Sequence, residues 1–180
     1  MKPKQERTLD QSMLESQFKV GPQKAPPEKD TPEKVAARLG ILHALSALSS
    51  SNVDIDTQSL KLLTGFLMAY GIADLDESVK NTSRDTLRDL VATYGAGDDA
   101  IAFLLPLLDK ILKTGVTDHE VLGELSKDKI PDDKEASNRR KEGAVVVLGS
   151  VALHLKGPEN ASKIDTTVDM LLDSLKTPNE

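Results

Sequence analysis

The segment from Arg139 to Leu155 constrains the fold of this chain more than any other. It opens with charged residues and continues with apolar side chains at 144–148, 151–153 and 155. On a helix these positions occupy nearly every side, so the helix must be covered on more than one face. The uncharged run is too short to cross a bilayer. The segment therefore predicts a helix that lies between other helices.

The composition also favours packing of helix on helix. Hydrophobic residues make up 38% of the chain, but aromatic residues only 3%, and Trp is absent. The core must therefore be aliphatic, whereas β-sandwiches are usually rich in aromatic and β-branched residues. The absence of Cys excludes disulfides and thiolate zinc sites. The polar N-terminal sequence is unlike a secretory signal, and these features together predict a cytoplasmic protein.

The charge balance limits the choice of partners. The formal net charge is −6, so the chain lacks the broad basic surface of a nucleic-acid-binding protein. We therefore expect no sequence-specific nucleic-acid partner. We also expect no membrane partner, because no apolar run is long enough to span a bilayer.

Hydrophobic periodicity predicts six helices and no strand. Their predicted ranges are 32–50, 57–70, 76–94, 98–113, 139–155 and 161–176. Thr31 and Pro32 form a helix start, and Pro106 should kink the fourth helix because it lacks a backbone donor. Residues 1–30 are predicted to be a disordered or linker tail. Residues 115–135 are predicted to be a polar insertion.

The third and fifth predicted helices share a residue pattern at offsets of four and eight. The corresponding positions are Val79, Ser83 and Leu87 in one helix and Arg140, Ala144 and Leu148 in the other. Each follows a shorter, Leu-rich helix, an alternation that resembles the HEAT repeat. The resemblance implies an all-α superhelix of the HEAT or armadillo type, with about two full repeats and flanking single helices. A compact bundle of four to six helices is the alternative.

The two outermost helices are predicted to lack neighbours on one side. The helix at 32–50 resembles a second repeat helix without its first, and the helix at 161–176 a first without its second. Repeats in a solenoid need a neighbour or a polar cap to cover their apolar faces. We therefore interpret the chain as part of a longer array, whose missing repeats cover both faces.

No catalytic constellation accompanies this pattern. His43, His119 and His154 lie on three separate segments without metal-ligand spacing. A single His119-Glu120 pair cannot build a di-iron site of the kind used by HEAT-like hydroxylases. We therefore predict no catalytic residue, no metal and no cofactor, and hence a protein that is not an enzyme.

Arg139, Arg140 and Lys141 form the one unusual local cluster. Basic residues in the first turn of a helix oppose its dipole, so a compensating charge is expected. Nearby acidic residues could supply it, at Asp132, Asp133, Glu135 or Glu142. The other hypothesis is that the cluster contacts an acidic partner or ribosomal RNA phosphate.

Four segments resemble the family of general-control translational activators, which are long HEAT solenoids. These segments are 85–95, 103–108, 143–155 and 170–180. The resemblance implies a piece from the middle of the array. It also implies a partnership with the ribosome and, through absent downstream parts, with the general-control kinase of initiation factor two alpha.

We therefore expect a non-catalytic scaffold from a ribosome-binding regulator of translation in amino-acid starvation. By itself it should not activate the kinase. The alternative is a generic HEAT adaptor in transport or phosphatase assembly.

Overall fold

The structure is a computed structural model that describes residues 30–51, 53–117, 122 and 130–176. Within these residues the chain is all-helical and contains no strand, as predicted. The helices are α1 (Pro32–Ser49), α2 (Thr57–Phe66), α3 (Glu77–Tyr94), α4 (Asp98–Thr114), α5 (Lys134–Ala152) and α6 (Ala161–Lys176). The predicted tail at 1–30 lies outside the described residues, apart from Asp30.

Side-chain caps determine where helices begin. The Thr31 hydroxyl accepts a hydrogen bond from the Lys34 amide at 3.4 Å, which confirms the predicted start of α1. At the start of α3, the Asp76 carboxylate accepts from the amides of Ser78 and Val79 at 3.0 and 3.1 Å. These bonds satisfy amides that have no acceptor within their own helix.

Gly115 ends α4 in a backbone conformation that other residues rarely adopt. Its φ is +69°, in the left-handed region. A Cβ at this position would also lie 1.7 Å from the Ser137 hydroxyl oxygen on α5. The glycine therefore allows both the turn and the close approach of the two helices.

Three boundaries differ from the predicted ones by three residues or more, and one of them is the end of α5, which lies at Ala152 and not at 155. The α-helical hydrogen bonding of α2 ends at Phe66, and a π-helical turn, Leu67–Gly71, continues it. Helix α5 begins at Lys134, because the Asp133 carboxylate accepts from the Ala136 amide at 2.8 Å. The start of α5 therefore lies inside the segment 115–135, which was predicted to be a polar insertion.

The segment between α4 and α5 also contributes apolar side chains to the interior. Of its described residues, Leu122 and Ile130 are buried, and they pack with Ala69 of the π-helical turn. Phe66 and Tyr70 lie against this small cluster. The segment is polar in composition, but part of it covers the end of α2.

The contacts between helices group them into two sets, which we call rows. Helix α1 contacts α3, and α3 contacts α5; in the other row α2 contacts α4, and α4 contacts α6. Contacts between the rows join α2 to α3, α4 to α5 and α5 to α6. The π-helical turn adds contacts to α3 and α5. Helix α3 is therefore covered by three helices, and α5 likewise, as predicted for the segment 139–155.

The core between the rows is aliphatic, as the composition predicts. Its completely buried members include Leu67, Leu87, Leu90, Leu104 and Leu108. The positions matched between α3 and α5 are all buried as well: Val79, Ser83 and Leu87 in α3, and Arg140, Ala144 and Leu148 in α5. The predicted correspondence of the two helices therefore holds for burial.

Tyr94 links the end of α1 to α3 by hydrogen bonding. Its hydroxyl lies 2.6 Å from the carbonyl oxygen of Leu48 and 2.9 Å from that of Val53. We expect Tyr94→Phe to lower the free energy of unfolding by about 1 kcal/mol, because it removes the hydroxyl and keeps the ring. Urea denaturation measures this change. A variant as stable as the unchanged protein would show that the bond contributes nothing.

Candidate functional site

The basic cluster Arg139, Arg140 and Lys141 lies in the second turn of α5, because the helix begins at Lys134. The first turn carries Glu135 and is capped by Asp133, so its charge suits the helix dipole. The hydrogen bond from the Ala136 amide lowers the pKa of Asp133, and the positive charge of Arg139 adds to this effect. The expected conflict between the cluster and the dipole is therefore absent.

Arg140 is buried, with only 2% of its surface exposed. Its guanidinium donates hydrogen bonds to four backbone carbonyls. The acceptors belong to Met68, Ala69, Gly115 and Pro131. The prediction that Arg140 contacts a partner or ribosomal RNA is therefore wrong, because its donors face inward and are occupied. Its role is structural.

The four acceptors explain why a charged group lies in the interior. The carbonyls of Met68 and Ala69 belong to the π-helical turn, where the last carbonyls of a helix have no amide within it to accept from. Gly115 and Pro131 flank the connection between α4 and α5. Arg140 therefore joins three parts of the chain through one planar group with several fixed donors.

Burial lowers the pKa of the Arg140 guanidinium, while the charge of Asp133 acts in the opposite direction. The ordinary pKa of arginine is so high that the group keeps its charge in spite of this shift. A charged donor makes stronger hydrogen bonds than a neutral one. The hydrogen bonds to the four carbonyls are therefore stronger than those from a neutral donor would be.

Arg139 is half-buried beside Arg140 and points elsewhere. Its guanidinium lies 3.5 Å from the Glu135 carboxylate one helical turn earlier. This pair confirms the expected compensation by a nearby acidic residue. The Nε and Nη2 atoms of Arg139 are buried and have no hydrogen-bond partner. The pair therefore satisfies only part of the guanidinium.

Lys141 lines a cleft between α4, α5 and α6 that has a volume of about 450 Å³. The other charged residues of the cleft are Asp109 and Lys113 of α4, together with Asp169 and Asp173 of α6. Lys113 pairs with Asp109 at 2.7 Å. The cleft thus carries both signs of charge. The carboxylates of the cleft reduce the attraction that Lys141 would exert on a phosphate.

The histidines do not form a site among the described residues. His43 is exposed on α1, and the Nε2 atom of His154 lies 3.0 Å from the carbonyl oxygen of Val91. His119 and Glu120 lie outside the described residues. In the part of the chain that is described, no group of three or more His, Asp or Glu side chains is placed to hold a metal ion.

The two outermost helices expose apolar side chains, as predicted. On α1 the exposed large apolar side chain is Ile41, at 60%. On α6 four side chains are exposed by more than a third: Ile164, Val168, Leu172 and Leu175. Among the described helices, none is both long and apolar enough to cross a membrane. These two faces are therefore candidate surfaces for protein contact.

Comparison of the chain with protein-family models, with curated proteins and with solved structures finds no match.

Proposed function

We propose that the chain is a non-catalytic scaffold whose helices form an α-α superhelix of the HEAT type. The observation that carries this proposal is the packing in two rows, α1, α3 and α5 beside α2, α4 and α6. HEAT repeats stack in this way, each pair of helices contacting its neighbours. The shared burial of the matched positions in α3 and α5 supports the same arrangement.

The proposed biological role is to hold surfaces of a translational regulator in register on the ribosome. This role rests on the resemblance of segments 85–95, 103–108, 143–155 and 170–180 to the general-control translational activators. The protein would act in the cytoplasm, in the response to amino-acid starvation. Activation of the initiation-factor-two alpha kinase would need further parts, so the chain alone leaves the kinase inactive.

The proposed ribosomal contact uses Arg139 and Lys141. Lys141 is half-buried, and 16% of the Arg139 side chain is exposed, so a part of each reaches the surface. Arg140 is left out, because its donors are bound to backbone carbonyls. Contact through two cations would be weak and would depend on salt, since each phosphate contact releases counterions.

We expect the double substitution Arg139→Gln and Lys141→Gln to weaken co-sedimentation with ribosomes at low salt. It should also make the dependence of binding on salt shallower, because two phosphate contacts are lost; each contributes about 0.7–0.9 to the slope of log K against log salt. The matched control is Lys156→Gln, which removes an exposed charge just beyond α5.

Equal binding of the double variant and the control would exclude this contact. If the unchanged chain fails to sediment with ribosomes at low salt, the ribosomal role itself is wrong. A stable complex with a transport or phosphatase component would then favour a generic HEAT adaptor.

A further inference from the structure

Helix α6 presents a continuous apolar stripe to its surroundings. Ile164, Val168, Leu172 and Leu175 follow one another at spacings of four, four and three, so they share one face of the helix. Their exposed fractions are 37%, 45%, 48% and 82%. The opposite face is occupied, since Met170 is buried in the main core. The stripe is therefore a second apolar face, and no described residue covers it.

An apolar groove of about 130 Å³ lies at the other end of the rows. Its walls are α1 and α2 with the π-helical turn, and residues of α3 form its floor. The apolar lining from the two walls consists of Ile41, Leu42, Leu45, Phe66, Leu67 and Tyr70. No described helix of the α2, α4, α6 row covers this groove.

The interior of the molecule shows which kind of element fits such a groove. Helix α2 contacts α3 and α4, and its π-helical turn also contacts α5. By the same pattern, a helix two places before α2 would contact α1, α2 and α3. These are the elements that form the groove. The groove is thus shaped for one more helix of the row that contains α6.

The length of α6 also suits this position. Helix α6 has 16 residues, and α2, which has the corresponding neighbours in the interior, has 10 residues followed by 5 in its π-helical turn. Arg38 of α1 lines the groove, where it is paired with Asp74 at 3.1 Å. Lys34 lies one helical turn earlier on α1 and is exposed.

The acidic residues of α6 lie beside its apolar stripe. They are Asp165, Asp169 and Asp173, one helical turn apart. A helix in the groove that runs antiparallel to α1, as successive helices of a repeat do, would bring Asp173 near Lys34. Asp173 also pairs with Lys176 at 3.0 Å, so this attraction adds to the apolar contact without replacing it.

We propose that copies of this chain associate head to tail, with α6 of one copy in the groove between α1 and α2 of the next. The two faces are different surfaces, so the contact is heterologous and leaves one face free at each end of a complex. Association can therefore continue beyond a dimer. This proposal replaces the expectation that missing repeats of a longer array cover both faces. It rests on the end faces and does not depend on ribosome binding.

The test uses two substitutions in the full chain, Ile41→Asp on the groove and Leu172→Asp on the stripe. Both side chains are largely exposed, at 60% and 48%, so the fold should persist, and circular dichroism would check this. By sedimentation velocity, the unchanged protein should form dimers and larger species as its concentration rises. Each variant alone should stay a monomer, because a charge would be buried in the apolar contact.

Mixing the two variants distinguishes the head-to-tail contact from any other. The I41D copy keeps a working stripe and the L172D copy keeps a working groove, so the mixture should form a 1:1 dimer and nothing larger. The proposal is overturned if the unchanged protein is monomeric at every concentration. It is equally overturned if either variant still self-associates, or if the mixture remains monomeric.

Discussion

Arg140→Met is expected to lower the free energy of unfolding by about 3–5 kcal/mol. The substitution removes the donor from the buried carbonyls of Met68, Ala69 and Gly115, and from the partly buried carbonyl of Pro131. Methionine fills much of the space but cannot hydrogen bond to them, so they stay buried without a partner. Urea denaturation, followed by circular dichroism, measures the change.

The matched control is Arg139→Met, the same substitution one position earlier. Arg139 loses a single pair with Glu135, whose side chain is 79% exposed. Such pairs contribute about 0–1 kcal/mol, so this variant should remain close to the unchanged protein. Similar stability losses in the two variants would show that Arg140 has no special role. The connection of α4 to α5 would then be held by other contacts.

Leu87→Ala is expected to lower the free energy of unfolding by about 2–5 kcal/mol. Leu87 lies in α3 and is completely buried in the main core. Close packing around it allows little collapse, so the shorter side chain leaves a cavity as well as losing apolar contact. Thermal and urea unfolding both measure the loss.

Leu75→Ala provides the control, because that leucine is 64% exposed in the turn before α3. A surface substitution of this kind should change stability by about 0.5 kcal/mol or less. If L87A lowered the free energy of unfolding as little as L75A, α3 would not lie at the centre of the packed rows.

The positions of most helices could be predicted from local residues. Thr31 and Asp76 cap α1 and α3, and Gly95 and Gly115 follow α3 and α4 at their ends. These residues act on amides and carbonyls a few positions away, so their effect is visible in a short window. The boundaries of α1, α3, α4 and α6 accordingly agree with the predicted ones to within about one or two residues.

The start of α5 was missed for a local reason. Asp132 and Asp133 were assigned to a polar insertion, although an aspartate before Lys134, Glu135 and Ala136 is an equally good cap. The π-helical turn after Phe66 was not predicted either. Nothing in its own residues marks it, since its carbonyls depend on a guanidinium more than seventy positions later in the chain.

The same distance in sequence explains the wrong expectation for Arg140. Burial of its charge depends on carbonyls at Met68 and Gly115, which only the folded chain brings together. One signal did exist. In the match between α3 and α5, Arg140 has the position that Val79 has in α3, and Val79 is buried. This correspondence was a sign of burial that the sequence analysis did not use. The spacing was the better guide.

Our central proposal is that the helices form two open rows rather than a closed bundle. The chain contains no Cys, so Ala44→Cys on α1 and Ser162→Cys on α6 provide two unique positions for spin labels. Helix α3 separates α1 from α5, so α1 and α6 should lie at least two interhelical spacings apart, about 16–20 Å between axes. Electron paramagnetic resonance, with excess unlabelled protein to dilute contacts between copies, should therefore give a separation of about 20 Å or more. A separation of about 10 Å, one interhelical spacing, would mean that α1 and α6 are neighbours and would contradict the open rows.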